Sequence, residues 1–231
     1  MEMTLGYSVV RNARKYPDKT AVICGEKRRT YRELNGRSNS LARALSGLGL
    51  VRGDRIATLS LNSLELMEAY LAHLKIGAIT VPLGAWGTER EIRHQADFTG
   101  CKIFVFHPGF LPRVERIRPS LPHVRNWISN GTSPPSFAKS YEDLIGQYPP
   151  EDFPIEVKEE DGAFLLFTGG TTGVPKGAVL THRSLLWNII SVTTENQSPT
   201  PEDVVYYPMP LFHTAALSRF LAYMYAGGTF I

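Results

Sequence analysis

The chain has 231 residues, 43% of them hydrophobic, with 25 Lys and Arg against 22 Asp and Glu for a net charge of +3. That length supplies one domain or two small ones with a sizeable core. So small a net charge, with no long basic run, gives no indication of a nucleic-acid partner.

The start, Met1-Glu2-Met3-Thr4-Leu5-Gly6-Tyr7, lacks the charged and then apolar pattern of a signal peptide. Apolar stretches are interrupted well before membrane-spanning length; the nearest, after His213, is broken by Arg219. Cys24 and Cys101 are the two cysteines, without metal spacing or the density of a disulfide framework. A cytoplasmic protein with reduced thiols is the expectation.

Helix and strand patterns then alternate. Val9 to Tyr16 reads as a short helix stopping before Pro17, and Thr20 to Cys24 as a strand that turns at Gly25. Leu34, Ser38, Leu41, Leu45 and Leu48 recur at four-and-three spacing, the stripe of an amphipathic helix ended by Gly49. A strand is expected over Ile56 to Leu61. A helix capped by Asn62 or Ser63 follows, with Leu64, Met67, Leu71 and Leu74 inward and Gly77 at its end. Ala78 to Leu83 reads as another strand, Thr88 with Glu91 as a capping box for a helix through Phe98, and Cys101 to Phe106 as a third strand of the series. On that helix His94 and Asp97 are read as solvated, since no third ligand lies nearby. This alternation argues for an α/β fold, a largely parallel sheet flanked by helices on both faces. Residues 108–161 are rich in proline and read as a peripheral connection with a short helix near Tyr141 to Gln147. Lys158 to Asp161 reads as a solvated turn.

The stretch with the most chemistry runs from Ala163 to His182. A short apolar run, Ala163 to Phe167, leads into Thr168-Gly169-Gly170-Thr171-Thr172-Gly173-Val174-Pro175-Lys176-Gly177, and a second apolar run follows. Four glycines, three threonines and one lysine, with no carboxylate, can present backbone N–H groups, hydroxyls and an ammonium to phosphate. A Walker A loop is excluded: Pro175 precedes Lys176, Gly177 follows it, and the chain continues as a strand where a helix would have to open. A plain surface hairpin would need fewer glycines. Beyond the loop, Thr181 and Ser184 mark a helix start, with Leu185, Asn188, Ile189 and Val192 on one face. His182 at that junction is read as satisfying local backbone groups. Val204 to Pro210 reads as a strand leading into Pro210-Leu211-Phe212-His213-Thr214-Ala215.

Phe167 to Gly177 resembles the phosphate-binding signature of the adenylate-forming enzymes: acyl-CoA synthetases, aryl-CoA ligases, luciferases and peptide-synthetase adenylation domains. Pro210-Leu211-Phe212-His213 resembles a second string that follows the loop in that family at a similar remove. Thr30-Tyr31, Glu33-Leu34, Gly53 to Ile56 and Ile76 to Ala78 agree with it more generically. The resemblance implies the acyl-CoA synthetase fold, with this chain as the first half of its large N-terminal domain. One subdomain would take residues 56–192 with the phosphate loop; the other would combine residues 1–55 and 200–231.

The implied activity is that of an AMP-forming acid–CoA ligase. ATP activates a carboxylate to an acyl-adenylate, and CoA then takes the acyl group. Lys176 is implied as the charge for the departing phosphates, and His213 as the residue that orients the carboxylate. Thr168, Gly169, Gly170, Thr171, Thr172 and Gly173 are implied to hold the nucleotide, with Thr168 also linked to Mg²⁺. Gly169, where many members carry serine, tilts the substrate toward a fatty acid, with an aryl or amino acid, or a non-catalytic nucleotide-binding module, as alternatives. Family members run to more than twice this length and carry further catalytic segments. The resemblance therefore implies an N-terminal fragment that is inactive alone and self-associates through residues 200–231, where Val204-Val205 and Phe220-Leu221 are expected to be exposed.

Overall fold

A computed structural model of the chain describes residues 4–152, 154–168, 176–195 and 199–231. The chain opens with α1 (Leu5–Lys15), longer at its start than the sequence pattern indicates, and a hairpin of β1 (Thr20–Cys24) and β2 (Lys27–Thr30). Gly25, at φ +60, provides the left-handed residue of the tight turn between those strands. β2 reads Lys-Arg-Arg-Thr, with no apolar alternation, because it is an edge strand facing solvent.

Next come α2 (Tyr31–Gly47), β3 (Arg55–Leu59), α3 (Leu64–Ile76), β4 (Ile79–Pro82), α4 (Glu89–Thr99) and β5 (Ile103–Phe106). Capping boxes start α2 and α4: Thr30 pairs reciprocally with Glu33, and Thr88 with Glu91. Ser63 caps α3 by accepting from Leu66 N, and Gly77, at φ +70, ends it.

Residues 108–161 are not a peripheral connection. They supply α5 (Leu111–Ile117), β6 (Asn126–Ser129), β7 (Ala138–Ser140) and α6 (Tyr141–Gly146). β6 and β7 extend the main sheet in parallel. These strands span only three or four residues between prolines, too short for a periodic signal, and their pairing with β5 is what forms them. β8 (Gly162–Thr168) and β9 (Lys176–Thr181) follow, then α7 (His182–Glu195), β10 (Val204–Val205), α8 (Thr214–Ala226) and β11 (Thr229–Phe230).

Among the described residues the strands make two sheets. Seven strands are ordered β7-β6-β5-β3-β4-β8-β9, all parallel except the antiparallel β9. Four are ordered β10-β11-β1-β2, combining the two ends of the chain.

α3 is buried almost all round, from Leu66 to Ile76 without interruption. On one side Met67, Tyr70, Leu71 and Leu74 pack with Val22, Phe164, Phe220 and Phe230; on the other Ala69, Ala72 and Ile76 pack with Ile56, Ile103 and Ile128. A helix without a polar face must be enclosed in this way. Two of its ionisable residues, Lys75 and Glu68, are partnered within the chain. The Lys75 ammonium donates to Asn35 Oδ1, Ser38 Oγ and Asn39 Oδ1 at 2.6–2.7 Å. Glu68, with no exposed side-chain surface, accepts from Arg29 Nε at 3.2 Å and Arg37 Nε at 2.7 Å.

Phe220 and Leu221 are buried, contrary to the sequence expectation. Phe220 meets Phe230 edge-on at 5.4 Å, and α8 packs on α1 and α7, so this face is covered from within the chain. Val204 is exposed on the edge strand β10.

Candidate functional site

β8 and β9 form an antiparallel hairpin whose register pairs Leu166 with Ala178, Phe167 with Gly177 and Thr168 with Lys176. Thr168 and Lys176 therefore bracket residues 169–175, and both side chains are exposed. Gly169, Gly170, Thr171, Thr172 and Gly173 lie outside the described residues. Thr168 Oγ1 donates to Lys176 O at 3.4 Å, at the long limit of a hydrogen bond. A Cβ at Gly177 would come within 2.9 Å of Leu165 Cδ2, so a side chain there would have to displace the end of the Leu165 side chain.

Strand pleating puts Phe164, Leu166 and Thr168 on one face of β8, with their partners Leu180, Ala178 and Lys176. Phe164 and Leu166 belong to the core cluster that includes Leu211 and Leu217. Thr168 and Lys176 thus lie on the side of the sheet from which the segment bearing His213 approaches.

That segment is held by Asn62, whose Nδ2 donates to Met209 O at 3.0 Å and whose Oδ1 accepts from Leu211 N at 2.8 Å. His213 is the N-cap residue of α8, but its side chain makes no capping bond. Its exposed ring lies 4.6 Å from the Phe212 centroid and 5.9 Å from that of Trp86. Trp86 meets Phe212 edge-on at 5.3 Å and is 69% exposed. Its loop is fixed by Arg113, which donates to Ala85 O at 2.9 Å and Gly87 O at 3.3 Å.

β3, β4 and β8 are adjacent and parallel, so Asn62, Trp86 and Thr168 emerge at one edge, beyond the carboxyl ends of the strands. Ligands of open α/β sheets bind at this edge. A cavity of about 440 Å³ opens beside the first turn of α8, lined by Asn188, Ile189, Tyr207, Thr214, Ser218 and Arg219 among others. That volume falls in the range of about 300–1,000 Å³ common for ligand sites.

The sequence of residues 9–231 matches the model of the AMP-binding enzyme family. The chain belongs to that family. It is 33% identical over 190 residues to a long-chain-fatty-acid–CoA ligase of Thermus thermophilus, covering 82% of this chain and 35% of that protein. Among solved structures, the N-terminal domain of FACL13 from Mycobacterium tuberculosis superposes with a TM-score of 0.90 at 26% identity, over 100% of this chain and 57% of that one. ATP-bound MatB from Rhodopseudomonas palustris superposes with a TM-score of 0.84 at 27% identity, over 99% of this chain and 45% of that one. The chain spans about a third of the curated relative's length.

In this AMP-binding family member, sequence reasoning missed Asn62, considered only as a helix cap, and Trp86, which lay in a turn. The available signal was position: both sit just past a strand end in an alternating β/α series. His182 also differs from its reading. It does not serve local groups; its Nδ1 accepts from Leu5 N at 3.2 Å, tying the start of α1 to the start of α7. Burial lowers its pKa from 6.5 to about 4, against the opposing pull of the Asp161 carboxylate. Accepting at Nδ1 requires the neutral ring. His94 and Asp97 lie exposed on α4, and the described residues contain no cluster of three metal-ligating side chains. No described helix is long and apolar enough to cross a membrane.

Proposed function

We propose that the protein is an AMP-forming acid–thiol ligase, which activates a carboxylic acid with ATP and passes the acyl group to CoA. The observation that carries this reading is the Thr168–Lys176 pair, which lies on the side of the sheet from which His213 approaches and brackets a stretch whose sequence has no carboxylate. In the first step a carboxylate oxygen of the acid bonds to the α-phosphorus of ATP, the bond from that phosphorus to the bridging oxygen breaks, and pyrophosphate leaves. Such a transfer depends on positioning and charge compensation more than on covalent help. Lys176 supplies positive charge to the leaving phosphates, the loop threonines and backbone amides cradle them, and His213 orients the acid.

Thr168 offers an exposed hydroxyl whose recorded bond is long, which suits a ligand that can exchange into a magnesium shell. Mg²⁺ held there with the phosphates would neutralise their charge. Fatty acids are the favoured substrates, supported by the likeness to the Thermus long-chain-fatty-acid–CoA ligase and by the cavity at the first turn of α8. In the second step the CoA sulfur bonds to the acyl carbon and AMP leaves. The setting is cytoplasmic, and the 231-residue chain by itself does not catalyse the first step.

The test is acid-dependent exchange of labelled pyrophosphate into ATP by the natural gene product, over a panel of fatty, aryl and amino acids. Exchange with fatty acids supports the proposal. ATP binding with no exchange for any acid would favour a non-catalytic nucleotide-binding module.

A further inference from the structure

Asn62 belongs to neither sequence motif, yet its carboxamide joins two parts of the chain 147 and 149 residues apart. The segment it holds lies past the sheet: backbone pairing with the last strand ends where Tyr207 N donates to Ile231 O, and Pro210, between the two bonded residues, has no N–H to offer. The carboxamide stands in for a strand partner, with one donor and one acceptor aimed at Met209 O and Leu211 N. Its orientation is fixed by chemistry, since a carbonyl can only accept and an amide N–H can only donate. Asn62 is itself anchored, because the adjacent Ser63 caps α3 and Asn62 O accepts from Cys24 Sγ at 3.7 Å.

From Leu211 the constraint passes to the imidazole in one turn. His213 N donates to Pro210 O at 3.0 Å, and His213 O accepts from Leu217 N at 3.0 Å in the first turn of α8. Those bonds fix the backbone of His213. Phe212 and Trp86 then flank its ring, and Arg113 holds the backbone on either side of Trp86 at Ala85 O and Gly87 O. Among the described residues no hydrogen bond is recorded to either ring nitrogen, so both are available to a ligand.

We propose that Asn62 is a positioning residue that holds His213 against Trp86 by fixing Met209 and Leu211. Its consequence for catalysis rests on the ligase reading, in which His213 orients the acid. The positioning itself is independent of turnover.

The experiment is NMR of the 231-residue chain labelled at histidine Cε1. The chain has six histidines, and the His213 signal is identified by its disappearance in a His213→Gln chain. Trp86→Leu defines how far the Trp86 ring current displaces that signal. Asn62→Ala is expected to abolish more than half of the displacement, and Asn62→Asp, which keeps the acceptor for Leu211 N but loses the donor to Met209 O, a smaller part. An unchanged His213 signal in a folded Asn62→Ala chain overturns the proposal, as does a Trp86→Leu chain with no displacement to lose. If Asn62→Ala does not fold, Asn62→Asp decides, and a wild-type His213 signal there overturns it. Pyrophosphate exchange plays no part in this measurement, so failure of the ligase reading and failure of the positioning are separate results.

Discussion

Lys176 stands directly opposite Thr168 in the ladder of β8 and β9, the last registered pair before residues 169–175. The backbone ladder fixes the base of the lysine while its exposed ammonium is left to reach a ligand. In the ligase reading this charge matters only while phosphates are departing. Lys176→Ala is expected to slow adenylation about tenfold or more, about 1.4 kcal/mol of transition-state stabilisation, and to leave thioester formation from a preformed acyl-adenylate nearly intact. Single-turnover assays of the two half-reactions check this. Equal loss in both assigns Lys176 a structural role.

His182 makes stability depend on pH. Its folded pKa, about 4, lies below the ordinary 6.5, so between these values the unfolded chain binds the proton and the folded chain does not. Its contribution is therefore complete above pH 6.5 and is lost as pH falls toward about 4. His73, buried against Thr80 Oγ1 at 3.0 Å and lowered to about 3 by burial, adds a loss of the same sign. Urea unfolding is expected to find His182→Gln, which keeps an acceptor for Leu5 N, about 2 kcal/mol less sensitive than wild type to a change from pH 7 to pH 5. An equal loss in both chains contradicts this.

Glu68 joins α3 to β2 and α2 from a position without solvent, and Tyr141 OH adds a bond from α6 at 3.3 Å. Removing the carboxylate takes from Arg29 its carboxylate partner and leaves Arg37 only its second one, Glu142. Glu68→Ala is expected to cost about 3 kcal/mol in urea unfolding, as for other broken buried pairs. A loss well under 1 kcal/mol would mean that both guanidinium groups swing out to water.

The edge strand β10 leaves Val204 60% exposed, and Tyr206 and Met209 beside it are 72% and 46% exposed. An unpaired edge with apolar side chains favours pairing between copies. We expect light scattering to find concentration-dependent self-association of the 231-residue chain, reduced by Val204→Lys. A monomer at all concentrations contradicts this.

Local rules in the sequence determined a good part of this protein. Capping residues at Ser63 and Thr88 and the glycine at residue 77 marked helix ends, because those interactions span only a few residues. The glycine- and threonine-rich stretch before Lys176 and the Pro210-to-His213 string stood out for the same reason: each is a set of residue types at fixed short spacing. What only the tertiary structure decided lies at long range. β6 and β7 are strands because β5 offers them an edge, and β11, two residues long, exists through its pairing with β1 and β10. α3 carries a lysine and a glutamate into the core because α2 and β2 bring their partners to it. Asn62 and Trp86 acquire their place beside His213 only when parallel strand ends are gathered at one edge. Beyond their position just past a strand end, no local string announced them, since the groups that place them beside this site, Leu211 for Asn62 and His213 for Trp86, lie more than a hundred residues away in the chain.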